Sequence, residues 1–173
     1  TPILDSHLGN KVFSQVLDGI SNNDDLLRML ARYIHFNSPF GGGVANLAGE
    51  IAVREDLFRD MSEPLAITAD RSVEVASKIF FAAIDEFDDR STPHMDTHRT
   101  LAQATLKGAG QFFGYDPSAL NSIVSINGIT LATISKVRRG YAISQSVDEH
   151  ILFRALGFHM SSEILADEES MTD

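Results

Sequence analysis

The chain contains no cysteine among its 173 residues. That absence removes disulfides, thiolate metal sites and a cysteine nucleophile from consideration, and it leaves the compartment open. Basic side chains are also scarce: 14 Lys and Arg against 24 Asp and Glu give a formal charge of −10. With a pI near 4.9, nucleic acid is not an expected partner, because phosphate binding needs clustered Lys and Arg. No basic amphipathic stretch suggests a membrane surface, and no apolar run approaches the roughly 18 residues of a span. No signal peptide is visible, so a soluble, cytoplasmic protein is the expectation. The chain opens at Thr1 rather than Met, which reads as processing or a fragment.

What is present is an ordinary globular composition, 43% apolar and 22% charged, long enough for one domain over 1–173. There is no internal repeat. Apolar spacing is helical almost throughout. Val12, Val16, Leu17 and Ile20 mark a first helix, and Asn22 or Asn23 caps a second through Ile34. Ser38-Pro39 and Gly41-Gly42-Gly43 interrupt it, as a loop or as a close crossing of helices. Helix is expected again over 44–60. The segment 72–88 is apolar on nearly every side and reads as a central helix packed by neighbours. After a break at 88–92, Pro93 suits a first helical turn capped by Thr92 or Ser91, and that helix ends near Gly110 or Gly114. Asp116-Pro117 opens another. Residues 129–134 alternate like a strand, but a lone strand would lack a partner. A last helix starts at Ser146 or Asp148 and runs through Ala166. The sum is an all-α bundle of about seven helices.

Three side chains sit where helix faces otherwise carry apolar residues. Glu86 falls within the stripe of Val75, Ile79, Ala82 and Ala83. His98, with His94 one turn earlier, falls among Leu101, Ala102, Thr105, Ala109 and Phe112. Glu163 projects between Leu152 and Leu156, near Met160, while His159 lies at the edge of that face. An unpartnered buried carboxylate costs several kcal/mol, so carboxylates and imidazoles turned toward one core call for a shared cause, such as a metal ion. On one straight helix Glu86 and His98 would stand about 18 Å apart. The break between them must therefore fold the two segments together. Against this stands a plain structural reading: Glu86 paired with an Arg or a helix terminus, and Glu163 with Arg154 or Arg138. Gly41-Gly42-Gly43 lacks the following Lys-Ser/Thr of a phosphate loop.

The stretches Ala83-Ile-Asp-Glu86-Phe-Asp-Asp, His98-Arg-Thr-Leu101, Gly114-Tyr-Asp-Pro117 and Ala155-Leu-Gly-Phe-His-Met-Ser-Ser-Glu163 resemble the haem-oxygenase-like diiron oxidases. Within them the nearest group is the CADD-like proteins, homologues of the death-domain-associating protein. The resemblance covers most of the chain through short, degenerate motifs. It implies a haem-oxygenase-like bundle of about seven helices, with Glu86, His98 and Glu163 as metal ligands and His94 as the alternative histidine. It further implies two iron ions, dioxygen as co-substrate, and a small-molecule substrate such as an amino acid or fatty acid. Phe80, Phe112 and Met160 would help wall the pocket. The family's final His-x-x-x-Asp-x-x-His occurs nowhere in the chain. Either the last helix lies after Asp173 or this member lacks it.

Carboxylate and imidazole ligands with open positions suit ferrous iron or manganese better than thiophilic metals. Two rival readings stay open beside the oxidase. One is a non-catalytic helical interaction module, and the other a zinc hydrolase built on His94, His98 and Glu163. A homodimer is an assembly that fits any of them.

Overall fold

The computed structural model describes residues 9–87 and 97–170, with side chains for 14–84, 86–87 and 97–164. In chain order the helices are α1 Gly9–Asp18, α2 Asn23–Asn37, α3 Phe40–Ala52, the single turn α4 Ala66–Ala69, α5 Ser72–Phe87, α6 His98–Phe112, α7 Pro117–Ile123, α8 Gly128–Gly140 and α9 Glu149–Ser170. Among the described residues the only β pairing is an isolated antiparallel bridge between Arg59 and Asp70. The protein is all-α, and no described helix is long and apolar enough to cross a membrane.

Short polar side chains start most of these helices by accepting amide protons that have no partner within the first turn. Asn22 accepts from the Asp25 amide and opens α2. Asp116 accepts from Ser118 and Ala119, with Pro117 in the first turn of α7. Asn127 takes the Thr130 amide at 2.9 Å, so the alternating stretch after Gly128 becomes α8 rather than a strand. Asp148 takes the Ile151 amide at 2.8 Å at the head of α9.

Helix α3 is the hub of the core. Its Val44, Leu47 and Ile51 pack with Ala76 and Ala83 of α5, Val137 of α8, Tyr141, and Leu152 and Ala155 of α9. The glycine run lies inside α3 and permits a close crossing. A β-carbon on Gly41 would stand 3.0 Å from the Glu86 Cβ, and one on Gly43 would stand 2.5 Å from the Tyr141 ring.

Three expectations need correction. Helix α3 ends at Ala52 instead of running toward Asp60, because the following segment pairs elsewhere. The Asp60 amide donates to the Ala69 carbonyl at 2.8 Å and the Arg71 amide to Phe58 at 2.6 Å. Helix α6 begins at His98 under a capping box made by Thr97 and Thr100, rather than near Pro93; residues 88–96, including His94, lie outside the described residues. Lastly, α5 is not packed all round. It lies against α3 and α6, while Val73, Phe80, Phe81 and Phe87 stay exposed.

Candidate functional site

Six helices, the hub α3 among them, surround one gap. The cavity measures about 980 Å³, at the upper end of the roughly 300–1,000 Å³ of small-molecule sites. The end of α2 and the start of α3 give Phe36, Phe40 and Gly42, α8 gives Thr133, Lys136 and Val137, and α9 gives Phe158, Ser162 and Glu163. Glu86 and Phe87 from α5 and His98, Arg99 and Ala102 from α6 complete the wall. Residues far apart in sequence, Glu86, His98 and Glu163 among them, therefore face one space.

Glu86 and His98 meet across the break, with His98 Nδ1 3.6 Å from Glu86 Oε2. The capping box at Thr97 aims the first turn of α6 at the end of α5 and so places His98. Gly41, under the Glu86 β-carbon, lets α3 approach closely enough to form the cavity floor. Glu163 is held differently. Its Oε1 lies 3.4 Å from His159 Nδ1, one turn back on α9. Neither carboxylate pairs with Arg or Lys among the described residues; each faces an imidazole. Their side chains are not sealed in the core: Glu86 is 34% exposed, His98 53% and Glu163 60%. They line an open-sided cavity, which explains how polar groups can sit on otherwise apolar faces without a large desolvation cost.

The three do not gather into a metal-binding cluster among the described residues, where no three His, Cys, Asp or Glu groups could hold one ion. His94 lies outside the described residues. The aromatic wall also differs from expectation. Phe80, Phe112 and Met160 are exposed and the cavity is lined instead by Phe36, Phe40, Phe87 and Phe158. Phe112 points to solvent because α6 turns its Gly110 side inward, where Leu120 of α7 covers it.

Sequence reasoning missed the group behind Glu163. His159 is 4% exposed and Tyr141 fully buried, and the Tyr141 hydroxyl lies 3.3 Å from His159 Nδ1. The Tyr141 ring meets Phe40 and Phe158 edge to face at centroid distances of 5.7 and 5.0 Å, favourable aromatic geometry. Burial, with the Glu163 charge nearby, pushes the phenol well above its ordinary range. Burial lowers the His159 pKa and the Glu163 charge partly opposes it, so a neutral imidazole is favoured. The i, i+4 spacing of His159 and Glu163 was the signal that could have joined them.

Compared with known proteins, the chain matches no family model, no curated protein and no solved structure.

Proposed function

We propose that the chain builds most of the cavity of a non-haem diiron oxygenase or oxidase of the haem-oxygenase-like type. Its substrate would be a small metabolite such as an amino acid or fatty acid. One observation carries this reading: Glu86, His98 and Glu163, from three helices, line a single large cavity that Phe36, Phe40, Phe87 and Phe158 also line. Lys136 and Arg99 on the same cavity supply positive charge for a substrate carboxylate, and the phenylalanines suit its apolar part.

The donors fit iron in kind, since carboxylate and neutral imidazole are preferred by ferrous ions. They fall short in number among the described residues, so two irons would need further ligands. Iron bound there would supply electrons for the reduction of dioxygen beside the substrate. The chain's own part is to hold the substrate, keep water from its apolar portion and present the carboxylates.

The test is ferrous loading of the full-length protein without oxygen, followed by rapid mixing with dioxygen. About two bound irons and a transient visible absorption are expected, with iron content reduced in Glu86→Ala, His98→Ala and Glu163→Ala. A protein that takes up no iron, and that Glu86→Ala leaves unchanged, ends this reading.

The exposed Val73, Phe80, Phe81 and Phe87 of α5 favour the second reading, a non-catalytic interaction module. That reading predicts full function in an iron-free protein and loss of partner binding in Phe81→Ser. The zinc-hydrolase alternative predicts activity that survives without dioxygen and follows zinc.

A further inference from the structure

Two residues between α8 and α9 hold a backbone conformation that L side chains rarely adopt, Ala142 at φ 55° and Ser144 at φ 62°. In that region the β-carbon crowds the following carbonyl oxygen. Ala142 has a local reason to be there. The Ile143 amide donates to the Arg138 carbonyl at 2.9 Å and the Ala142 amide to that of Arg139 at 3.1 Å. These paired bonds close a helix on a left-handed residue and satisfy its last carbonyls. Ala142 is 3% exposed and Tyr141 fully buried, so this end of α8 is fixed to the core. Ser144 lies beyond that closure. It is the third residue of a turn in which the Gln145 amide donates to the Ala142 carbonyl at 3.2 Å, a position that glycine ordinarily fills when φ is positive. Ser144, Gln145 and Ser146 are all exposed, so no burial at the joint offsets the strain.

We infer that Ser144 is the strained hinge of α9. Its left-handed backbone is imposed by the docking of α9 and relaxes when that helix swings outward, which makes opening of the cavity easier. Strain of this kind persists only where surrounding contacts over-determine it. Here those contacts stand on both sides of the joint. Tyr141 and Ala142 anchor the chain before it, and Leu152 and Ala155 bind α9 into the same core after it. The swinging arm carries Phe158, Ser162 and Glu163, which form one wall of the cavity. Ser144 therefore bears on access to the cavity, whether or not the cavity takes iron.

Because the chain has no cysteine, a single introduced thiol reports exposure without background. Ala155→Cys on α9 and Ala31→Cys on α2, at positions 1% and 2% exposed, are reacted with a water-soluble thiol reagent in the full chain. Residue 155 should label faster than residue 31 and depend less steeply on urea, since a partial opening exposes less surface. Replacements at Ser144 then read the hinge, and because that residue is exposed they remove no buried contact. Ser144→Gly, which takes positive φ freely, should slow labelling at 155 by about five-fold. Ser144→Val, whose branched side chain tolerates it least, should speed labelling by at least as much. If Ala155→Cys does not fold, Leu152→Cys reports the same interface. A rate at 155 that both replacements leave unchanged overturns the hinge. Labelling of 155 and 31 at one rate, with one steep urea dependence, overturns it too, because α9 would then leave only when the whole chain unfolds.

Discussion

The ring of Tyr141 occupies the space that a β-carbon on Gly43 would need, 2.5 Å from its Cγ and Cδ2. Helix α3 can reach the end of α8 only because residue 43 has no side chain. Gly43→Ala should therefore destabilise the protein by about 1–3 kcal/mol through overpacking. For a chain of this size that is a fall of roughly 3–10 °C in thermal midpoint, measurable by circular dichroism. An unchanged midpoint would mean that α3 and Tyr141 are not packed as described.

Gly42, the adjacent residue, should behave in the opposite way. It lines the cavity, and a β-carbon there meets no atom within 4 Å. Gly42→Leu should fold normally, fill part of the cavity and weaken binding of an apolar fluorescent probe by about ten-fold or more, as a loss of roughly 1.4 kcal/mol would. The exposed helical Gly49, also unhindered, supplies the control. Gly49→Ala should leave probe binding alone and raise stability by about 0.5–1 kcal/mol.

The link between α3 and α5 should respond to acid. The Ser62 hydroxyl and amide, with Arg71 beside them, hold the Asp60 carboxyl below its ordinary range. The Ser72 amide and hydroxyl do the same for Asp70. Depressed folded pKa values contribute stability that is present above the unfolded value, about 3.9, and lost as pH falls through the folded ones. Denaturation midpoints should thus drop more steeply below about pH 4 in wild type than in Asp70→Asn. Parallel acid limbs in the two proteins would contradict this.

At the alkaline end the sign reverses. Burial raises the Tyr141 pKa above its ordinary 10.0, so the folded protein keeps a proton that the unfolded chain gives up. That contribution is complete below pH 10 and is lost as pH rises beyond it. In the near-ultraviolet tyrosinate spectrum, Tyr141 should ionise only with global unfolding, and Tyr141→Phe should lessen the fall in stability above pH 10. Reversible ionisation of all three tyrosines in folded protein would refute it.

The helices were legible where apolar spacing and a capping residue agreed, as at Asn22 and Asp116. They were less so where a boundary depends on contacts made far along the chain. Nothing near Asp60 announces that its amide will pair with Ala69, so helix was expected through a segment that turns instead. Periodicity identified Glu86, His98 and Glu163 as out of place on their faces, but it cannot distinguish a core from a cavity wall, since both are lined by the same residue types. It was for this reason that half-exposed side chains read as buried ones. Phe80, Phe81 and Phe87 show the converse: apolar periodicity marks a face that suits burial and does not supply the neighbour. Tyr141 escaped notice because its place depends on the meeting of α3, α8 and α9, a tertiary event with no local signature.

The cavity walls come from both halves of the chain, from Tyr33 to Glu163, with no segment able to enclose the space alone. The site therefore comes into being only when α9 docks against α3 and α8, and it disappears when α9 lifts. Partial openings of this kind lie below the cost of global unfolding. A molecule held in the cavity and the amide protons of α9 would share one gate, so the ligand's residence time and the slowest hydrogen exchange in that helix should lengthen or shorten together.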